Sequence, residues 1–171
     1  MRNSALHYLG RYAATSEQLR RVMVRRIERS IDYHGGDRQQ ALEELELLVL
    51  QLSEAGYLDD TRYARARAED LHRRGTSLRG IRAKLRQKGL SSEQIDEALG
   101  HLAEESDEPD LVAAVAYARR RRLGPFRLED VPDSARRRRE FGALARAGFS
   151  AGLARRIIDA KSIEELEQEY F

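Results

Sequence analysis

Apolar residues recur along this chain at helical spacing, and polar punctuation cuts them into short segments. Ala5, Leu6, Leu9 and Ala13 mark a first helix over residues 4–14. Thr15 and Gln18 stand at capping-box spacing, so a second helix starts near Ser16. It carries Leu19, Val22, Met23, Val24 and Ile27, interleaved with Arg20, Arg21, Arg25, Arg26 and Arg29. Residues 30–37, with Tyr33, His34, Gly35 and Gly36, have the composition of a loop. A third helix is predicted over 37–55, with Leu42, Leu45, Leu48, Val49 and Leu52 as a wide apolar stripe. Leu47 and Leu50 lie on its other side, which predicts packing on two faces.

Residues 55–99 read as three shorter amphipathic helices with glycines at the gaps. Gly56 ends the preceding helix, and Asp59 and Asp60 open one that runs to about Arg74, since acids suit the positive end of a helix. Gly75 closes it, Thr76 or Ser77 caps the next, and Gly89 closes that one. Ser91 and Gln94 have capping-box spacing for the third. In the middle helix, Leu78, Ile81 and Leu85 fall within about 60° on a helical wheel. Arg79, Arg82 and Arg86 share one flank of that seam, and Lys84 and Lys88 the other.

Residues 100–107 read as a polar linker. Pro109 suits a first helical turn, followed by Leu111, Val112, Val115, Tyr117 and Ala118 and ending in Arg119 to Arg122. Gly124-Pro125 breaks this helix, and residues 123–132 read as a loop. Ser134 or Asp133 caps the next helix, with Phe141, Leu144 and Ala145 inward. Gly148 closes it, and Ser150 caps another that buries Leu153, Ala154, Ile157 and Ile158. Ser162 and Glu165 start a short terminal helix that reaches towards Tyr170 and Phe171. There is an internal echo: Lys88-Gly89-Leu90-Ser91 corresponds to Ala147-Gly148-Phe149-Ser150, Leu85 to Leu144, and Ile95 and Leu99 to Ala154 and Ile158. The predicted fold class is all-α, a tandem of three-helix units at 1–56, 57–103 and 107–160, with an acidic tail at 161–171. Units of this size lean on their neighbours for a core.

Composition agrees with small modules. Charged residues make up 35% of the chain and aromatics 6%, which argues against one thick core. With no cysteine, disulfides and thiol chemistry are excluded. The N-terminal residues lack a long apolar core and the run Leu47–Leu50 is too short to span a bilayer, so a cytoplasmic protein is expected. The net charge of +2 conceals segregation: ten Lys and Arg over residues 59–89, then eight acids and no Lys or Arg over 91–110. Such blocks predict interaction surfaces.

Catalytic signals are missing. His7, His34, His72 and His101 are scattered, which suits exposed helix or loop positions better than a metal site, and no phosphate-binding loop is present. Asp59-Asp60 and Glu104-Glu105 read as caps and solvated acids. No enzyme activity, cofactor or metal is expected. The arginine flanks fit an acidic partner, because guanidinium groups pair bidentately with phosphate and carboxylate; the competing explanation is a merely solvated face. A helix-turn-helix DNA reader is disfavoured, since the third helix of the middle unit, SSEQIDEALGHL, is acidic and would be repelled by phosphates.

The run Gly56-Tyr57-Leu58-Asp59-Asp60 with Arg62-Tyr63-Ala64, then Gly80-Ile81, Leu85, Lys88-Gly89-Leu90 and Ile95, resembles the RecX family, bacterial regulators of the RecA recombinase. Ala5-Leu6, Tyr8-Leu9, Ser16-Glu17 and Leu19-Arg20 resemble its opening module, and Leu144, Ala147-Gly148-Phe149 and Arg156-Ile157-Ile158 its closing one. The first unit departs from the pattern by lacking a Lys-Gly helix end. The resemblance implies an elongated, curved monomer lying in the groove of the RecA–single-stranded DNA filament. It would inhibit recombinase, ATPase and coprotease activity by blocking extension or promoting disassembly. Arg79, Arg82, Lys84, Arg86 and Lys88 are the expected main contact face, with Arg119, Arg120, Arg121, Arg122, Arg136, Arg137, Arg138 and Arg139 secondary. The alternatives are a general adaptor that binds nucleic acid without sequence preference, and a purely structural scaffold.

Overall fold

The computed structural model describes residues 1–127 and 134–167. The chain is all-α, with α1 (Arg2–Leu9), α2 (Ser16–His34), α3 (Arg38–Glu54), α4 (Asp60–Arg73), α5 (Leu78–Gln87), α6 (Ser92–Glu105), α7 (Pro109–Arg121), α8 (Ser134–Arg146), α9 (Ala151–Asp159) and α10 (Ile163–Glu167). A 3-10 turn at Gly124–Phe126 lies between α7 and α8.

The caps explain where these helices begin. The Thr15 hydroxyl accepts the Gln18 N–H while the Gln18 side chain accepts the Thr15 N–H, a complete capping box for α2. Ser91 and Gln94 repeat it for α6. Ser77, rather than Thr76, caps α5 through the Gly80 N–H. Ser150 caps α9 and Ser162 caps α10. Each such cap is worth about 1 kcal/mol. Gly56, Gly75, Gly89 and Gly148 all take positive φ, from 75° to 96°, as their closing positions require. At Gly75 the demand is double, since a Cβ there would lie 2.5 Å from the backbone nitrogen of Tyr117.

Several expectations are corrected. Ala145, read as inward on the helix before Gly148, is exposed. The first helix ends at Leu9, leaving Ala13 exposed and Ala14 buried. α2 continues through residues 30–34, where Ile31 packs on the core, and stops only at Gly35 with φ +71°. α3 packs on one face, not two: Leu47 and Leu50 are 60% and 58% exposed. Residues 100–105 are not a linker but the end of α6, anchored by Leu102 at 2% exposure. In the segment read as a loop, Phe126 is buried by the 3-10 turn. Residues 128–132 of that segment, the Asp133 cap, and Tyr170 and Phe171 lie outside the described residues.

The chain divides into two compact units. One comprises Met1–Ala64 with Arg86–Ile95; the other comprises Arg65–Leu85 with the chain from Asp96 onward. The first unit is built on Ala5, Leu19, Met23, Ile27, Leu45, Leu48, Val49, Leu52 and Leu58. The second has its core in Leu111, Ala114, Ala118, Phe126, Leu144, Phe149, Ile157 and Leu166.

Each unit contains the same joint. In the first, the buried Thr15 hydroxyl donates to the Lys88 carbonyl at 2.6 Å, and the Ser16 N–H donates to Asp60 at 2.8 Å. In the second, the buried Ser77 hydroxyl donates to the Ala147 carbonyl at 2.7 Å, and the Leu78 N–H donates to Asp110 at 2.8 Å. In both, a helix-capping hydroxyl reaches the carbonyl just before a turn glycine, Gly89 or Gly148. The first helical N–H goes to an aspartate at the start of another helix. The sequence echo around these glycines therefore marks a repeated tertiary joint.

Candidate basic interface

α5 is built as its pattern predicts. Ile81 and Leu85 are fully buried and Leu78 is half-buried. Burial of that seam fixes the rotation of the helix, so Arg79, Arg82 and Arg86 share one flank by helix geometry. The unit boundary falls between Leu85 and Arg86, inside this helix. Arg79, Lys84 and Arg86 are exposed, and their side chains form no hydrogen bond or ion pair among the described residues. Arg82 is 2.5 Å from Asp96, with the two side chains 38% and 59% exposed. Solvent screens such a pair, and it holds the arginine only weakly. Lys88, just past the helix, is half-buried and its carbonyl is engaged by Thr15.

The two arginine runs are more committed to the fold. The Arg119 guanidinium sits over Phe126 at 5.4 Å. Arg120 and Arg121 both sit over the Tyr117 ring, at 5.7 and 5.8 Å, and Arg120 also donates to the Arg74 carbonyl. Arg122 ends α7 in the left-handed region at φ 57°. Cations are well placed there, at the negative end of a helix. In α8, Arg136 pairs with Glu140 at 3.3 Å, and Arg137 grips both oxygens of Asp159 at 2.6–2.7 Å. Arg138 and Arg139 are exposed, with the Arg139 Nε directed at the Ala135 carbonyl. A shallow cavity of about 350 Å³ gathers Arg137, Arg138 and Arg155 around Phe141 and Ile158. Arg155 comes from α9, and no spacing rule connects it to the α8 run.

Sequence reasoning missed the buried acid behind this region. Glu140 is 6% exposed; it accepts hydrogen bonds from the Arg127 guanidinium and the Gly124 N–H, and pairs with Arg136. Burial pushes its carboxyl up. The Arg127 and Gly124 hydrogen bonds, the Arg127 charge and the Arg136 hydrogen bond outweigh that and hold it below the ordinary 4.5. The Arg136–Glu140 spacing of four was the one signal in the sequence.

The acidic block after residue 91 partly serves neighbouring positive groups. Asp96 meets Arg82, Glu108 meets Arg156 bidentately at 2.8 and 2.9 Å, and Asp110 takes the Leu78 N–H. Two histidines are not simply solvated: His72 donates to the Pro109 carbonyl at 2.7 Å, and His101 donates to Glu104 at 3.0 Å. Among the described residues no group of three His, Cys, Asp or Glu side chains is placed to hold a metal, and no helix is long and apolar enough to cross a membrane.

Residues 59–99, essentially α4 to α6, match the family model of the second three-helix domain of RecX. A regulatory protein RecX of Myxococcus xanthus is 46% identical over 160 residues, covering 94% of this chain and 84% of the relative. This chain belongs to the RecX family. A RecX of Agrobacterium fabrum is 37% identical over 166 residues, covering 97% of this chain and 85% of its own. The crystal structure of a regulatory protein RecX superposes with a TM-score of 0.63 at 21% identity, over 93% of this chain and 70% of the other, which supports the shared fold. Within this RecX-family chain, α5 with Arg79, Arg82, Lys84, Arg86 and Lys88 falls inside the matched domain, whereas Arg119–Arg122 and Arg136–Arg139 fall outside it.

Proposed function

We propose that this RecX-family chain regulates the RecA recombinase by binding the RecA–single-stranded DNA filament. It acts as a monomer, in the cytoplasm, and inhibits recombinase, ATPase and coprotease activity by blocking filament extension or promoting disassembly. The three-helix modules at 1–56, 57–103 and 107–160 are the repeating parts of this reading, and the joint used at both Thr15 and Ser77 supports it. The observation that carries the contact assignment is the flank of α5. Arg79 and Arg86 are exposed without a described partner, and Arg82 is held only by a solvent-screened aspartate. Such a row meets an acidic surface at little desolvation cost and speeds encounter. Arg119 to Arg122 and Arg136 to Arg139 are secondary contacts, because most of them already hold aromatic rings, carbonyls or carboxylates of this chain.

The test is ATP hydrolysis by preformed RecA–single-stranded DNA filaments, with this protein added far below the recombinase concentration. A binding measurement on naked DNA runs alongside. Inhibition at substoichiometric levels without comparable affinity for DNA is the expected result. Inhibition only where the protein saturates the DNA would instead make it a nucleic-acid adaptor, and no inhibition would overturn the reading.

A further inference from the structure

α3 has a second face that the core does not use. Glu43, Leu47, Leu50 and Glu54 follow at spacings of four, three and four, which places them in one row along the helix. Leu47 and Leu50 are 60% and 58% exposed, while every other leucine, isoleucine and valine among the described residues is buried or half-buried. Among the described residues the other branched aliphatic side chains are put away, and these two are left side by side on one helix. Adjacent exposed apolar groups framed by polar ones mark an interaction surface more than scattered ones do.

The ends of the row specify what covers it. Glu43 and Glu54 are exposed at one turn's distance from the leucines, and neither is paired with a cation among the described residues. Glu46, beside the row, is already held by Arg20. Suppose two copies paired antiparallel about a twofold axis between Leu47 and Leu50. Glu43 of each copy would then face Glu54 of the other, two like-charge contacts at a desolvated seam. The row therefore repels its own copy. A helix with two apolar side chains and a cation one turn beyond each satisfies both the leucines and the acids.

We infer that the row Glu43-Leu47-Leu50-Glu54 is a docking surface for a basic amphipathic helix of another protein. Two apolar side chains of that helix seat on Leu47 and Leu50, and its Lys or Arg residues meet Glu43 and Glu54. This is independent of the α5 flank, which faces acidic partners.

The test uses the full chain and two labelled helical peptides in fluorescence anisotropy. Both peptides carry the same leucine pair; one has lysines a turn away on each side, the other glutamates. The lysine peptide is expected to bind about ten-fold more tightly than the glutamate peptide. Glu43→Lys with Glu54→Lys reverses that order. Leu47→Ser with Leu50→Ser removes binding of both peptides while leaving helix content, thermal midpoint and filament inhibition unchanged. Equal affinity for the two peptides, absence of binding, or affinity unmoved by these substitutions would overturn the inference. So would a concentration-dependent dimer, seen in sedimentation, that disappears with the leucine substitutions, since it would give the face to a second copy.

Discussion

At the scale of single residues, Glu140 and Gly124 hold the turn between α7 and α8. The Glu140 carboxylate is satisfied by Arg127, Arg136 and the Gly124 N–H, so removing its charge leaves a guanidinium that is itself only 19% exposed. Glu140→Gln is expected to cost about 2 kcal/mol in urea unfolding at neutral pH, less than for a fully buried pair. The sign of its pH dependence follows from the lowered folded value. The stabilisation is fully present above the ordinary 4.5 and is lost as pH falls from there through the folded value. Acid titration of stability should be steeper for the natural chain than for Glu140→Gln, and parallel curves would contradict the assignment. Gly124 has φ +58°, and a Cβ there would collide with the Ile157 carbonyl oxygen. Gly124→Ala combines about 1 kcal/mol of left-handed backbone strain with a clash against backbone that cannot rotate away. A loss of at least about 2 kcal/mol is expected, measured as a lowered urea midpoint.

At the scale of elements, the capping hydroxyls do two jobs each. Ser77 accepts the Gly80 N–H and donates to the Ala147 carbonyl, while fully buried. Ser77→Ala therefore loses a cap and leaves a carbonyl short of a donor, for about 2 kcal/mol in all. A cost no larger than that of an exposed cap would deny the joint its role. α5 makes the functional prediction. Replacing Arg79, Arg82 and Arg86 with Glu leaves the Ile81–Leu85 seam untouched, so helix content should stay the same. Filament inhibition should weaken at least about ten-fold, since like charges now face the partner. Unchanged inhibition by the folded triple variant would reject this flank.

At the scale of the whole molecule, what matters is how charge is distributed rather than its sum. A net charge of +2 would give little attraction if it were spread evenly. Several arginines are paired with carboxylates of this chain, Asp159, Glu140, Glu108 and Asp70, while Arg79, Lys84, Arg86, Arg138 and Arg155 are exposed without a described ion pair. Inhibition of the filament should accordingly fall with rising salt. The triple α5 variant should show a shallower salt dependence than the natural chain, because fewer charges remain to be screened. Parallel salt curves would mean that other cations carry the contact.

Helix class, the capping boxes at Thr15 and Ser91, the turn glycines and the α5 seam follow from local rules, and the sequence alone determines them. Those rules act within four or five residues, and each element here is that local. The family, too, was legible in the spacing around Gly56 and Gly89. Which charges are available, and which faces are covered, was decided by the tertiary structure. Leu47 and Leu50 match the helical period as well as any core residue, and only the packing of α3 on one side reveals them as surface. Glu140 looks like one more acid after four arginines until Arg127 and Gly124 close on it. Arg155 joins Arg138 across two helices that no sequence period relates. Burial and pairing depend on partners far away along the chain, and periodicity reports a residue's direction on its own helix without saying what stands opposite.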